Sequence, residues 1–114
     1  MDLKNFNQRF EIIDDIPRFV SGDNFASSFG LQWNTFRKIQ LDSYTGTNMS
    51  EDRVKIALPF PLESINGLKV LEVGAGAGRF TEILLKYGAI VYSFDLSDAV
   101  LANYRNNMPH SNLT

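Results

Sequence analysis

The segment Glu72-Val73-Gly74-Ala75-Gly76-Ala77-Gly78 sets an acid and three alternating glycines at the end of a short apolar run, Leu68 to Val73. Glycine reaches backbone angles closed to other residues and brings no side chain to block a close approach. Between a strand's end and a helix's first turn, such a run leaves backbone N–H groups facing whatever docks at the carboxyl edge of the sheet. A second acid, Asp95, stands at the end of the next apolar run, Ala89 to Phe94. A carboxylate there can accept hydrogen bonds from both hydroxyls of a ribose. Spacing then narrows the ligand. A dinucleotide fingerprint G-x-G-x-x-G started at Gly74 requires glycine or alanine at residue 79, which is Arg79. The third glycine arrives one place early, at Gly78, so a pyrophosphate is disfavoured and the pattern is E-x-G-x-G-x-G. Each acid also has a plainer reading. Glu72 suits a strand end facing water, and Asp95 with Ser97 suits the first turn of a helix.

The elements that would hold these residues follow from periodicity. Leu68 to Val73 and Ala89 to Phe94 read as strands. Between them Phe80, Ile83, Leu84 and Tyr87 recur at helical spacing, with Gly88 where the helix stops. Ser97 is placed to cap a second helix running to about Asn107, with Val100, Leu101 and Tyr104 on its buried side and Pro109 beyond its end. Asn112-Leu113-Thr114 is read as the opening of a third strand. Strand, helix, strand, helix implies a parallel sheet with crossovers.

The pattern E-x-G-x-G-x-G, its place between strand and helix, and the acid after the second strand together resemble the first motifs of the class I S-adenosylmethionine-dependent methyltransferases. The resemblance covers 68–107. It implies an α/β fold with a truncated Rossmann-like parallel sheet, and S-adenosyl-L-methionine as cofactor. The cofactor-binding positions it implies are Glu72 near the methionine end, Val73, Gly74, Ala75, Gly76 and Gly78 along the turn, Asp95 at the ribose, and Leu96 and Ser97 towards the adenine. It names no general base, so the catalytic residues are unknown, and a chain supplying only the opening of the sheet is expected to show little turnover alone. A catalytically dead nucleoside-binding or oligomerisation module, and a nicotinamide-binding fragment, are the alternatives. Upstream, DDIPRFV and FASSFGLQWNTFRKIQLDSYTG resemble the leader ahead of some bacterial methyltransferases, including ones that modify envelope sugars. In that family the leader covers the cofactor, which makes Phe29, Trp33, Phe36 and Tyr44 candidate pocket walls. The acceptor stays open between small molecule, sugar, lipid and protein.

Composition bounds the rest. The 114 residues are 44% hydrophobic and 21% charged, enough for one modest core. A formal charge of -2 gives no electrostatic reason to expect nucleic acid. There is no cysteine, and the single histidine, His110, reads as exposed in a turn, so no metal is assigned. No secretory leader and no membrane span are legible, so a cytoplasmic setting is the default. Residues 1–66 read as a mostly helical extension on the cofactor or acceptor side, and 67–114 as an incomplete Rossmann-like half-domain. In the extension, Phe25, Phe29, Trp33 and Phe36 fall at helical spacing and predict a face packed on the rest of the domain. TGTNMSEDR reads as a loop with Ser50 as helix cap, and PFPLESING as linker and turn. A half-sheet leaves an open strand edge, which favours a homo-oligomer.

Overall fold

The computed structural model describes residues 10–21, 24, 26–108 and 110–114. Phe6, Asp23, Phe25 and Pro109 lie outside the described residues. The fold is a mixed α/β arrangement around a short parallel pair. β1 (Glu11–Ile13) and β2 (Ile16–Arg18) form an antiparallel hairpin, followed by α1 (Ser27–Thr35), α2 (Asp42–Thr45) and α3 (Met49–Ala57). β3 (Lys69–Val73) then leads through α4 (Arg79–Lys86) to β4 (Ile90–Phe94) and α5 (Ala99–Asn107). β3 and β4 pair in parallel, from Lys69 opposite Ile90 to Val73 opposite Phe94. The ladder continues past β4. The Val91 N–H donates to the Asn112 carbonyl at 2.7 Å, and the Thr114 N–H donates back to the Val91 carbonyl at 2.9 Å. A third parallel strand therefore opens at Leu113, as expected, which leaves β4 inside and β3 on an edge with no partner strand among the described residues.

The side-chain alternation of a strand gives this sheet two unlike faces. On one, Val91 packs into a core with Val54, Leu62, Ile65, Ile83, Leu84, Leu85 and Ala89, and Val70 packs against that core. On the other, Leu71 and Val73 are 66% and 78% exposed. The core is drawn from both sides of residue 67. Leu62 and Ile65 are 1% and 2% exposed, and full burial of each contributes on the order of 1.5–3 kcal/mol.

Several expectations need correction. PFPLESING is not merely a linker: Leu62–Ile65 is a 3₁₀ turn whose first and last residues enter the core, because that helix brings positions i and i+3 onto one side. Ser50 is not the cap of α3. It lies buried in the first turn, and the cap comes from Asp42, whose carboxylate accepts the N–H groups of Ser50 and Glu51, both at 3.0 Å. The aromatic stripe of α1 is not a packed face, since Phe29 and Phe36 are each more than half exposed. α1 docks instead through Gly30 and Asn34. On α5 the buried residues are Ala99, Ala102 and Asn103, while Val100, Leu101 and Tyr104 are half-buried. α1 packs on α5, and its Gly30 abuts Asp98 at the entry to that helix. Ahead of β3 the described residues hold three short helices and the 3₁₀ turn, with the hairpin before them, whose turn residues Asp14 and Asp15 take φ of 52° and 63°. His110 is half-buried rather than exposed, its Nδ1 accepting the Asn112 N–H at 3.2 Å. No helix is long and apolar enough to cross a membrane among the described residues.

Candidate functional site

β3 delivers the glycine turn to the carboxyl end of the sheet, where it folds against the end of β4. Gly74, Gly76 and Gly78 take φ of 76°, 55° and 87°, left-handed values that three successive side chains would strain. The N–H groups of Gly74 and Ala75 donate to the Phe94 carbonyl at 2.8 and 3.0 Å. The next N–H, that of Gly76, donates to Asp95 Oδ2 at 2.8 Å. The two motif elements singled out in the sequence thus meet in one corner. Asp95 Oδ1 accepts the Ser97 N–H at 2.8 Å and its hydroxyl at 2.6 Å, so roughly three of the four acceptor sites of this carboxylate are taken by protein. The Ser97 hydroxyl oxygen in turn accepts the Ala99 N–H at 3.2 Å and steadies the entry to α5.

The three glycines are not equivalent. A Cβ at Gly74 would meet nothing within 4 Å, and one at Gly76 only the Trp33 Nε1 at 3.9 Å. At Gly78 it would lie 2.6 Å from Asn103 Cγ and closer still to Asn103 Oδ1 and Asn107 Nδ2. Gly74 and Gly76 therefore border open space, whereas Gly78 is where α5 presses on the start of α4. Val73 is exposed on the uncovered sheet face, and Ala75 is buried.

Glu72 points to the covered face. Its Oε2 accepts hydroxyl hydrogens from Thr81 at 2.5 Å and Ser93 at 2.7 Å, and Asn103 Nδ2 donates to the Thr81 oxygen at 2.9 Å. Its Oε1 is buried with no donor among the described residues. Burial pushes the Glu72 carboxyl above its ordinary range, against the opposing pull of the Thr81 and Ser93 hydrogen bonds. The site thus holds a desolvated acid with unused acceptor capacity. On the far side of α4, Glu51 is held down to about 2 by hydrogen bonds from Lys55, Lys86 and Tyr87. That cluster locks α3 to α4, and the Arg79 Nε donating to the Ser50 hydroxyl at 3.1 Å ties the first residue of α4 into it.

The extension closes over the corner. Asn34 Nδ2 donates to the Asp98 carbonyl at 2.8 Å, Asn24 Nδ2 to the Leu96 carbonyl at 3.1 Å, and Arg18 pairs with the Asp98 carboxylate at 2.8 Å. Asn106 Nδ2 bridges the carbonyls of Arg37 and Ala77. These contacts bring Trp33 beside Gly76, whereas Phe29, Phe36 and Tyr44 stay largely exposed. An open cavity of about 890 Å³ lies between the hairpin, α1 and the sheet, with Phe94, Asp95, Leu96 and Ser97 on its wall. Sequence reasoning missed Thr81, Ser93 and Asn103 around Glu72, and Asn34 and Asn106 where the extension meets α5 and the glycine turn. Only the density of asparagines in α5 hinted at them.

Residues 71–113 match the family model described as a methyltransferase domain, in agreement with the class I S-adenosylmethionine-dependent resemblance. That span runs from mid-β3 through the glycine turn, Asp95 and α5 to the opening of the third strand. No curated protein and no solved structure matched the chain.

Proposed function

We propose that the chain is the cofactor-binding part of an S-adenosylmethionine-dependent methyltransferase, and that its parallel pair is the opening of a Rossmann-like sheet. The observation that carries this reading is the Gly76 N–H bonded to Asp95, which joins glycine turn and acid into one corner. The residues fit the cofactor. The space over Gly74 and Gly76 is open, and the buried Glu72 Oε1 has acceptor capacity for a donor or cation. Asp95 would hold the ribose, with the Ser97 hydroxyl swinging off Oδ1 to make room for a second sugar hydroxyl. Leu96 and Ser97 would border the adenine, and Glu72 would serve the amino-acid end. When bound, the cofactor supplies an electrophilic methyl group on a sulfonium. What the chain adds is alignment, a factor that can amount to roughly 7–11 kcal/mol of a displacement barrier.

Isothermal titration with S-adenosylhomocysteine tests this directly. Saturable binding is expected, weakened roughly 10- to 100-fold by Asp95→Ala, the loss typical of a hydrogen bond to a charged group. A folded sample that releases no heat at high ligand concentration would end the proposal.

We also propose that the chain forms a homo-oligomer. The free edge of β3, with Leu71 and Val73 beside it, is where a second copy of the chain would dock.

A further inference from the structure

We propose that the cleft between the α1–α2 connection and the last turn of α5 binds a phosphate monoester, with Arg37, Lys38 and Arg105 as its cationic walls. The cavity there measures about 300 Å³, at the lower end of the range for small-ligand pockets, and shares no lining residue with the cavity that holds Asp95. The chain has a formal charge of -2, so three cations around one small cleft do not follow from a basic composition. None of them has a carboxylate within 4 Å among the described residues. The neighbouring acids are committed elsewhere. Asp42 accepts the Ser50 and Glu51 N–H groups, and Glu82 accepts the N–H and hydroxyl of Ser43 on the cleft wall. Counting Glu82 against the three cations still leaves a surplus of two positive charges. A phosphate monoester, close to doubly charged at neutral pH, matches that surplus better than a single carboxylate. The dipole of α5 favours a cation in its last turn, which accounts for Arg105 alone, since Arg37 and Lys38 stand in the turns between α1 and α2.

The fork of Arg37 is fixed before any ligand arrives. Its Nη1 donates to Asn106 Oδ1 at 2.8 Å, and Asn106 Nδ2 donates back to the Arg37 carbonyl at 2.7 Å. Asn106 also donates to the Ala77 carbonyl at 2.8 Å, so one side chain holds both the arginine and the glycine turn. The remaining guanidinium donors of Arg37, with those of Arg105, suit the bidentate contact that phosphate oxygens accept. Lys38 Nζ lies 5.9 Å from the centre of the Tyr44 ring, a cation–π contact that steadies the ammonium beside the cleft. Leu41, 5% exposed, supplies an apolar floor.

The 114-residue protein is titrated calorimetrically with inorganic phosphate and with glycerol 3-phosphate, against chloride at the same ionic strength. Saturable heat is expected for both phosphates. Arg105→Ala, a change at an exposed side chain, is expected to weaken binding about tenfold, and Arg37→Ala by at least as much, the loss typical of a hydrogen bond to a charged group. Lys69→Ala removes an exposed cation outside the cleft and should change affinity by less than about twofold. Melts followed by circular dichroism establish that each variant is folded. In parallel, the protein is spun with phosphatidylcholine vesicles that do or do not contain phosphatidic acid. Sedimentation with phosphatidic acid that Arg105→Ala abolishes assigns the phosphate to a lipid headgroup; heat from glycerol 3-phosphate without such sedimentation assigns it to a soluble ester. The proposal is overturned by the absence of both signals, by a folded Arg105→Ala that binds like the parent, or by an equal loss in Lys69→Ala. None of these results bears on the cofactor reading, which the S-adenosylhomocysteine titration decides separately.

Discussion

Replacing each glycine of the triplet by alanine separates the residues that serve the fold from those that serve the ligand. At Gly78 the new Cβ would lie 2.6 Å from Asn103 Cγ and nearer still to two amide atoms, so Asn103 and Asn107 must swing away. Asn103 is 2% exposed, and moving it breaks its bond to the Thr81 hydroxyl, while moving Asn107 breaks its bonds to the Gly78 carbonyl and to Asn103. Stranding two or three such buried groups costs about 1–3 kcal/mol each, and the left-handed backbone adds ~1–2 kcal/mol for any residue with a Cβ. The total, roughly 3–11 kcal/mol, is comparable to the whole stability of a small domain. Gly74→Ala and Gly76→Ala meet no clash and incur only the backbone term, a drop of about 4–16 °C in Tm for a chain of this size. Gly78→Ala should be largely unfolded at room temperature by circular dichroism. The other two should stay folded, and Gly76→Ala should bind S-adenosylhomocysteine more weakly. A Gly78→Ala protein that melts with the Gly76→Ala protein would refute the packing argument.

Glu72→Gln should leave Tm at neutral pH unchanged or raised while weakening ligand binding. The folded-state pKa of Glu72 lies above its ordinary 4.5, so the folded protein binds the proton more tightly and loses stability as pH rises through that window; a glutamine that lowered Tm by several degrees would contradict this. Glu51 has the opposite sign. Its contribution is present above pH 4.5 and is lost as pH falls towards about 2, so urea titrations should show an acid limb that Glu51→Gln flattens, whereas parallel limbs would count against the cluster with Lys55, Lys86 and Tyr87. Self-association through the open edge should appear in analytical ultracentrifugation as a concentration-dependent dimer that Val73→Glu converts to monomer; a parent protein sedimenting as monomer throughout would dismiss that surface.

The parallel pair, α4 and the glycine turn were legible because each is signalled locally, by a β-branched run, a helical repeat or a glycine stop. Gly88, read as the stop of α4, lies two residues past its end at Lys86 and has φ of 82°. The hairpin was missed because its strands are only three residues long and one contains Pro17, leaving the Ile13-Asp14-Asp15-Ile16 turn as the sole sign. The Asp42 cap escaped because its acceptor lies several residues from the helix it serves, in a separate helix. The Glu72 and Asp95 positions could be read from spacing. Their surroundings could not, since Thr81 reaches Glu72, and Asn103 reaches Thr81, only through tertiary contacts of α4 with the sheet and with α5.

The amides of Gly74, Ala75 and Gly76 are all engaged by the end of β4. A connecting segment bonded in this way should exchange its amide hydrogens at rates typical of a strand rather than of a surface loop. On the proposed cofactor reading, an incoming nucleoside would meet a surface that is already formed and lose little ordering entropy on capture. Association should accordingly be governed by passage beneath the α1 cover, and residence time by how firmly the carboxylate trades its own protein donors for those of the guest.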